Sequence, residues 1–266
     1  MNVNELARKL AVDAGQLVSG LRAHAAELGD STDETQVSMA KEVLGNEGDR
    51  AGHNYLTQQL ATLRPADAVI SEEDAPDTVR GTSQLVWIVD PLDGTSEYSS
   101  GRSDYAVHVA LWDANSNLPG KIAVASVAVP ELDKVWSMDD TPIAPSTYDG
   151  PIRILVSRTR PPRELDRVVA DLEEAFAHRG PVQIIQMGSV GAKVSYMLDG
   201  NADVYLNTGG FFEWDLAAPL GVACHHGLVV CQINGEPFSF NQANLKLTGA
   251  LICRPELQKI ILKSLA

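Results

Sequence analysis

An apolar run, Leu85-Val86-Trp87-Ile88-Val89, passes directly into Asp90-Pro91-Leu92-Asp93-Gly94-Thr95, and this junction constrains the chain more than any other stretch. It reads as a buried strand that stops at Asp90 with a turn immediately after it. Two carboxylates three residues apart, joined by a rigid Pro-Leu step, can face one small volume if the chain curls around it. Asp90, the Leu92 carbonyl, Asp93 and the Thr95 hydroxyl are oxygen donors of the kind that hard divalent cations take. Gly94 lets backbone N–H groups come close to an anion. The stretch is therefore half a metal site joined to half a phosphate site. An ordinary Asp-Gly hairpin turn is the plainer alternative.

The flanking pattern extends this reading. From Asn4, an expected N-cap, Leu6, Leu10, Leu17 and Leu21 recur at helical spacing, which predicts an amphipathic helix to about residue 28. Residues 29–46 lack sustained periodicity and read as a mobile loop. Asp49 is expected to open a second helix whose buried face is Tyr55, Leu56, Leu60 and Leu63. A short strand, Ala68 to Ser71, runs into Glu72-Glu73-Asp74, so that two adjacent strands would deliver acids to one point. Strand-like runs at Tyr105–Trp112, Ile122–Val129 and Lys134–Met138 predict an antiparallel meander.

Residues 139–151 carry a Gly150-Pro151 pair and read as a linker between two layers. Beyond it strands and helices alternate in α/β style, and Asp215 lies in the helix Trp214-Asp215-Leu216-Ala217-Ala218-Pro219 after Gly209-Gly210. The expected division is residues 1–150, an α+β half with most of the candidate ligands, and residues 151–266, an α/β half with Asp215 and the recognition segments.

Bulk properties exclude some partners. A net charge of -14 argues against a nucleic-acid duplex or an anionic membrane surface as partner, but not against a small anion if bound cations reverse the local field. Cys224, Cys231 and Cys253 sit in apolar surroundings without metal-ligand spacing and read as free thiols of a reducing compartment. The N-terminus lacks a basic and apolar leader pattern, so a cytoplasmic location is expected.

Taken together, Asp49, Glu72, Asp90, Asp93, Thr95 and Asp215 make a constellation. The sequence resembles the inositol monophosphatase superfamily of lithium-sensitive, magnesium-dependent phosphatases, whose signature DPhDGT (h, apolar) is followed more than a hundred residues later by WDxAA. The resemblance implies a layered αβαβα sandwich of α+β class, with an antiparallel N-terminal sheet and a mixed C-terminal sheet. It implies two or three Mg2+ ions: Glu72, Asp90 and the Leu92 carbonyl would hold one, and Asp90, Asp93 and Asp215 a second. Two cations about 4 Å apart can clamp both oxygens of an in-line displacement. Asp49 and Thr95 are implied as the pair that positions and deprotonates the attacking water, and the N–H groups of Gly94 and Thr95 as phosphate ligands. No covalent phosphoenzyme is expected, and a homodimer is the family expectation.

Several segments are similar to the bisphosphate nucleotidase branch. Gly188-Ser189-Val190-Gly191-Ala192-Lys193 is similar to its GGAGNK segment, Ser157-Arg158-Thr159-Arg160 to its Ser-Arg-Ser-His stretch, and Trp214 to Pro219 to its WDxxAP form. The implied reaction removes the 3'-phosphate of 3'-phosphoadenosine 5'-phosphate, or of its 5'-phosphosulfate counterpart. The partner is thus a small phosphate ester, with Ser157, Gly188, Ser189, Lys193 and Glu213 as further substrate-binding candidates. A Gly-Ser turn at a helix N-terminus followed by a lysine suits a second anion. The stretch lacks the branch's histidine, and Glu213 can equally support its helix start. An inositol or fructose 1,6-bisphosphate phosphatase of the same fold, or a magnesium-dependent binding protein, are the alternatives.

Overall fold

In a computed structural model, residues 1–27, 34–74, 79–143 and 148–266 are described. Helix α1 (Val3–Glu27) is capped by Asn2 rather than Asn4: Asn2 Oδ1 accepts from the Glu5 N–H at 2.9 Å while Glu5 Oε2 accepts from the Asn2 N–H at 2.8 Å. Its buried face is Leu6, Ala7, Leu10, Ala11, Ala14 and Val18, and Leu17 is exposed. Helix α2 (Glu34–Leu63) corrects two expectations. Residues 34–46 are helical, and Asp49 lies inside the helix instead of opening it. This segment is rich in good helix formers such as Glu, Gln, Met, Ala, Lys and Leu, but most of residues 35–43 face solvent. Without a face to bury, the segment shows no apolar period, so the missing period marks exposure rather than a loop. The rest of the expected loop, residues 29–33, lies outside the described residues.

The first sheet is built from β1 (Ala68–Ser71), β2 (Leu85–Asp93), β3 (Ala106–Asp113), β4 (Ile122–Val129) and β5 (Lys134–Ser137), in that spatial order. Strands β2 to β5 form the expected antiparallel meander, but β1 pairs parallel to β2, so the sheet is mixed and not wholly antiparallel. Between β2 and β3 stands the one-turn helix α3 (Thr95–Ser99). Later elements are β6 (Arg153–Ser157), α4 (Leu165–Ala175), β7 (Gln183–Met187), α5 (Val190–Leu198), β8 (Val204–Asn207), β9 (Phe211–Phe212), α6 (Glu213–His225), β10 (Val229–Cys231), β11 (Lys246–Leu247), β12 (Ala250–Cys253) and α7 (Gln258–Leu265). The second sheet has the order β10-β12-β8-β6-β7 and is mixed, as expected.

Strand alternation sorts the apolar side chains into separate cores. Trp87, Val89, Val107, Val109 and Leu111 face α1 and α2. Ile88, Ala106, Ala110, Ala125 and Val127 face α5 and α6, and the same core takes in Leu155, Tyr205 and Ile252 of the second sheet. Ile154, Val156, Leu206 and Leu251, on the far side, pack on Val168 and Leu172 of α4 and Ile261 of α7. The layers therefore run α1/α2, first sheet, α5/α6, second sheet, α4/α7, which is the αβαβα sandwich.

Helix α2 meets the Asp90–Thr95 segment through a stripe of glycines, Gly45, Gly48 and Gly52. An added Cβ would lie 2.9 Å from Thr95 Cγ2, 2.9 Å from Leu92 Cδ2 and 3.0 Å from Pro91 Cβ, respectively. Only glycines let the helix axis come this close, and Asp49 rides on the same face. Gly20, on an open face of α1, has nothing within 4 Å of such a Cβ. Gly20→Ala should therefore stabilise the protein by up to about 1 kcal/mol through helix propensity alone. Gly48→Ala should destabilise it, because overpacking of about 1–3 kcal/mol exceeds that gain. Urea unfolding of the two variants checks the opposite signs.

Candidate active site

In a regular strand, residues 90 and 93 would point to opposite faces. The structure removes this obstacle with a bulge. Asp90 pairs with His108 and Asp93 with Ala106, so that Pro91 and Leu92 oppose one residue of β3. β2 thus continues to Asp93 instead of stopping at Asp90, and both aspartates face the inner side. Gly94 comes next with φ +95°, in the left-handed region, and turns the chain into α3. Ser71 pairs with Val89, so Glu72 emerges beside Asp90, as the two acid-tipped strands suggested. Asp215 reaches the same point from the first turn of α6, where its Oδ2 accepts from the Phe212 N–H at 2.6 Å. Ligand oxygens of Asp90, Asp93 and Asp215 lie within 4.8 Å of one another.

Each carboxylate is held by local donors. Asp90 Oδ1 accepts from the Leu92 N–H at 3.0 Å, and its Oδ2 is buried without a hydrogen-bond partner. Asp93 Oδ2 accepts from Ser189 Oγ at 2.7 Å, the Val190 N–H at 2.5 Å and the Gly191 N–H at 3.0 Å, so it sits on the N-terminus of α5. On the other side Thr95 Oγ1 lies 3.2 Å from both Asp49 Oδ1 and the Leu92 carbonyl oxygen. Its one proton bonds to one of these at a time.

The electrostatics are those of acids crowded out of water. Burial pushes Asp90 well above the usual carboxylate range, and the charges of Glu72, Asp93 and Asp215 add to this. Burial and the charges of Asp215, Asp49 and Asp93 raise Glu72 to about 8, and burial with Asp93 raises Asp215 to about 6. Asp49 rises to about 7 through burial and the nearby Glu73. Asp93 moves the other way: burial opposes ionisation, but His108, Ser189 and the α5 N–H groups outweigh it. An all-oxygen donor set, a buried orphan oxygen on Asp90 and mutual repulsion fit one or more hard divalent cations.

The cleft above the cluster, about 370 Å³, is lined by Glu72, Asp93, Gly94, Thr95, Ser157, Gly188, Ser189, Lys193 and Asp215. Their uses differ from the sequence reading in three places. The α5 N-terminus expected to hold a second anion holds Asp93 instead, and Ser189 Oγ also accepts from the Ala192 N–H at 3.0 Å. Lys193 Nζ donates to the Gly188 and Ser189 carbonyls at 2.8 and 3.1 Å, and burial lowers it to about 8. Glu213 accepts from the Asn241 and Gln242 N–H groups at 2.7 and 2.9 Å, which ties a loop to the start of α6 away from the cleft lining. Burial holds it up to about 7.

Other residues at the site were not among the sequence candidates, although Arg158 and Arg160 lie in the stretch compared with the nucleotidase branch. Arg160, Tyr205, Asn207 and Phe212 line the cleft, and Phe212 stacks on Trp214 with ring centroids 4.7 Å apart. Arg158 bonds Glu97 Oε1 at 2.6 Å and Asp104 Oδ2 at 2.7 Å, and Asp104 Oδ2 also accepts from the Gly188 N–H at 2.7 Å. This clamp ties α3 to the second sheet. His108 is fully buried under the aspartates. Its signal was visible, since it is an ionisable residue within the apolar strand Ala106-Val107-His108-Val109-Ala110.

Raised carboxylate pKa values make the metal-free protein pH-sensitive. Groups whose folded pKa lies above the unfolded value contribute stability that is complete below about pH 4 and is lost as pH rises through about 6 to 8, the values of Asp215, Asp49 and Glu72. The melting temperature in EDTA should therefore fall by about 5 °C or more between pH 5.5 and 8.5. Excess Mg2+ should remove most of that fall, which differential scanning calorimetry will show.

Known proteins resemble this chain in sequence and fold. The Inositol monophosphatase family profile matches residues 2–265. A 3'-phosphoadenosine 5'-phosphate phosphatase of Mycobacterium bovis is 41% identical over 258 residues, covering 96% of this chain and 90% of that protein. The 3'(2'),5'-bisphosphate nucleotidase CysQ of Escherichia coli is 31% identical over 196 residues, covering 72% of this chain and 77% of that one. Among solved structures, CysQ from Bacteroides thetaiotaomicron superposes with a TM-score of 0.73 at 24% identity, covering 93% of this chain and 95% of that one. The chain belongs to the inositol monophosphatase family.

Proposed function

We propose that this protein is a magnesium-dependent phosphomonoesterase that removes the 3'-phosphate of 3'-phosphoadenosine 5'-phosphate, or of its 5'-phosphosulfate counterpart. The observation that carries the reading is the Thr95–Asp49 pair standing beside the three-aspartate cluster in one cleft. The nucleotide is inferred from the 41% identity to a phosphatase named for that substrate.

Two or three Mg2+ ions, held by Glu72, Asp90, the Leu92 carbonyl, Asp93 and Asp215, would supply the positive charge that draws a phosphate into an acidic cleft and stabilises its transition state. Thr95 Oγ1 accepts a hydrogen bond from the attacking water and passes its own proton toward Asp49 Oδ1, 3.2 Å away. Asp49, held at about 7, can take a proton near neutral pH. The Gly94 and Thr95 N–H groups at the start of α3 take phosphate oxygens. The attacking group is water, with no covalent phosphoenzyme.

Arg160 takes the 5'-phosphate in this reading. Its guanidinium is exposed on the cleft wall and has no hydrogen-bond partner among the described residues, whereas Lys193 is committed to two carbonyls. Ser157 Oγ accepts from the Arg160 N–H at 3.3 Å and fixes the base of that side chain's loop. Phe212, with one face on Trp214, offers its ring to the adenine. Among the described residues no helix is long and apolar enough to cross a membrane, and the reading puts the enzyme in the cytoplasm.

Phosphate release with Mg2+ from 3'-phosphoadenosine 5'-phosphate, inositol 1-phosphate and fructose 1,6-bisphosphate tests the substrate. The nucleotide should lead in kcat/KM by about a hundredfold, or about 2.7 kcal/mol; a lead for the inositol or sugar ester overturns the assignment. Arg160→Ala should raise KM for the nucleotide at least tenfold and leave inositol 1-phosphate turnover unchanged. Asp93→Asn keeps an acceptor for α5 but removes a ligand charge. It should lower kcat by about a hundredfold or more with the circular dichroism spectrum retained.

A further inference from the structure

The ring of His108 lies against the buried side of the aspartate cluster. It lies on the inner face of β3, opposite Asp90 in register, and is fully buried. Its neighbours on that face, Ala106 and Ala110, are small and apolar. An imidazole there gives up hydration that an aliphatic side chain would not, so volume alone does not account for it.

Its two nitrogens lie beside the cluster. Nδ1 lies 3.2 Å from the Trp214 carbonyl oxygen, which only accepts, so Nδ1 carries a proton toward the residue that precedes Asp215. Nε2 lies 3.2 Å from Asp93 Oδ2, and Nδ1 lies 4.0 Å from Asp90 Oδ2. One ring therefore abuts Asp90, Asp93 and the backbone that carries Asp215. The packing is built around that ring edge: a Cβ on Gly191 would lie 2.3 Å from Nε2, so α5 can approach only because position 191 is glycine.

The outcome for the carboxylates is specific. Asp93 Oδ2 accepts from Ser189, Val190 and Gly191 and lies against the His108 edge, whose Nε2 makes no hydrogen bond to a described residue, while Oδ1 makes none either. Asp90 Oδ2 is buried against the ring yet unpartnered, which is an oxygen kept in place and kept available. Removing side chains that orient ligating carboxylates commonly costs about 10–100-fold in metal affinity.

We infer that His108 is a positioning residue that presents the free oxygens of Asp90, Asp93 and Asp215 to a divalent cation. The inference rests on the metal-site reading and goes beyond it by assigning cation affinity to a residue that is not itself a ligand.

Calorimetric titration of the metal-free protein with Mn2+, without substrate, tests it. His108→Asn keeps a donor near the Trp214 carbonyl but cannot reach Asp93, and should bind Mn2+ about 10–100-fold more weakly than wild type. His108→Gln restores an amide at the Nε2 position and should recover most of that loss. Melting of both variants in EDTA reads packing separately, and the Asn variant should lose metal affinity without a matching loss in melting temperature. Wild-type affinity in His108→Asn overturns the inference, as does an equal loss in both variants that tracks their melting temperatures. If His108→Asn does not fold, His108→Leu, which keeps volume and removes both nitrogens, takes its place with the same outcomes. Absence of Mn2+ uptake by the wild type overturns the metal-site reading itself.

Discussion

Like-charge repulsion among carboxylates withheld from water is the constraint on which the rest of this structure depends. Asp90, Asp93 and Asp215 bring ligand oxygens within 4.8 Å of one another, with Glu72 and Asp49 close by. Bare acids would not be held at such distances without compensation. Much of the surrounding fold supplies it: the Leu92 N–H serves Asp90, the start of α5 serves Asp93, and the Phe212 N–H serves Asp215. What these donors leave uncompensated is repulsion that a bound cation would relieve.

The donors come from both ends of the chain, which is why the two sheets are not separable. Helices α5 and α6 come after strands of the second sheet in sequence yet pack on the inner face of the first sheet, in one continuous core. Asp93 of the first sheet caps α5, and Arg158, just beyond β6 of the second sheet, grips Glu97 of α3 and Asp104 ahead of β3. The Thr95–Asp49 contact, proposed above to activate water, depends in turn on the glycine stripe that lets α2 lie on the Asp90–Thr95 segment. The aspartate cluster, the Thr95–Asp49 contact and the cleft wall thus share one set of packing contacts.

The cleft divides its charged side chains between structure and ligand in a way that residue type alone does not reveal. Lys193 and Glu213 look like recognition groups in the sequence, but both are turned onto backbone partners. Arg160, which the sequence marked only as part of the stretch similar to the nucleotidase branch, keeps a guanidinium without a hydrogen-bond partner among the described residues on the cleft wall. A buried charge must find partners, and an exposed one at a cleft remains available.

The acid-tipped strands, the meander, the α/β second half and the Asp90–Thr95 and Trp214–Pro219 segments were legible in the sequence by itself. Strand and helix periods and oxygen-donor spacing are local properties that residue order carries directly. Tertiary structure alone decided the bulge that turns Asp90 and Asp93 to one face, the parallel pairing of β1, and the continuous helix that carries Asp49. Each depends on what lies opposite in space: His108 and Ala106 across β2, Val89 beside Ser71, and Thr95 against Gly45. The role of His108 belongs to the same class, because a histidine in an apolar strand acquires its meaning only from the carboxylates that three distant segments bring to its ring.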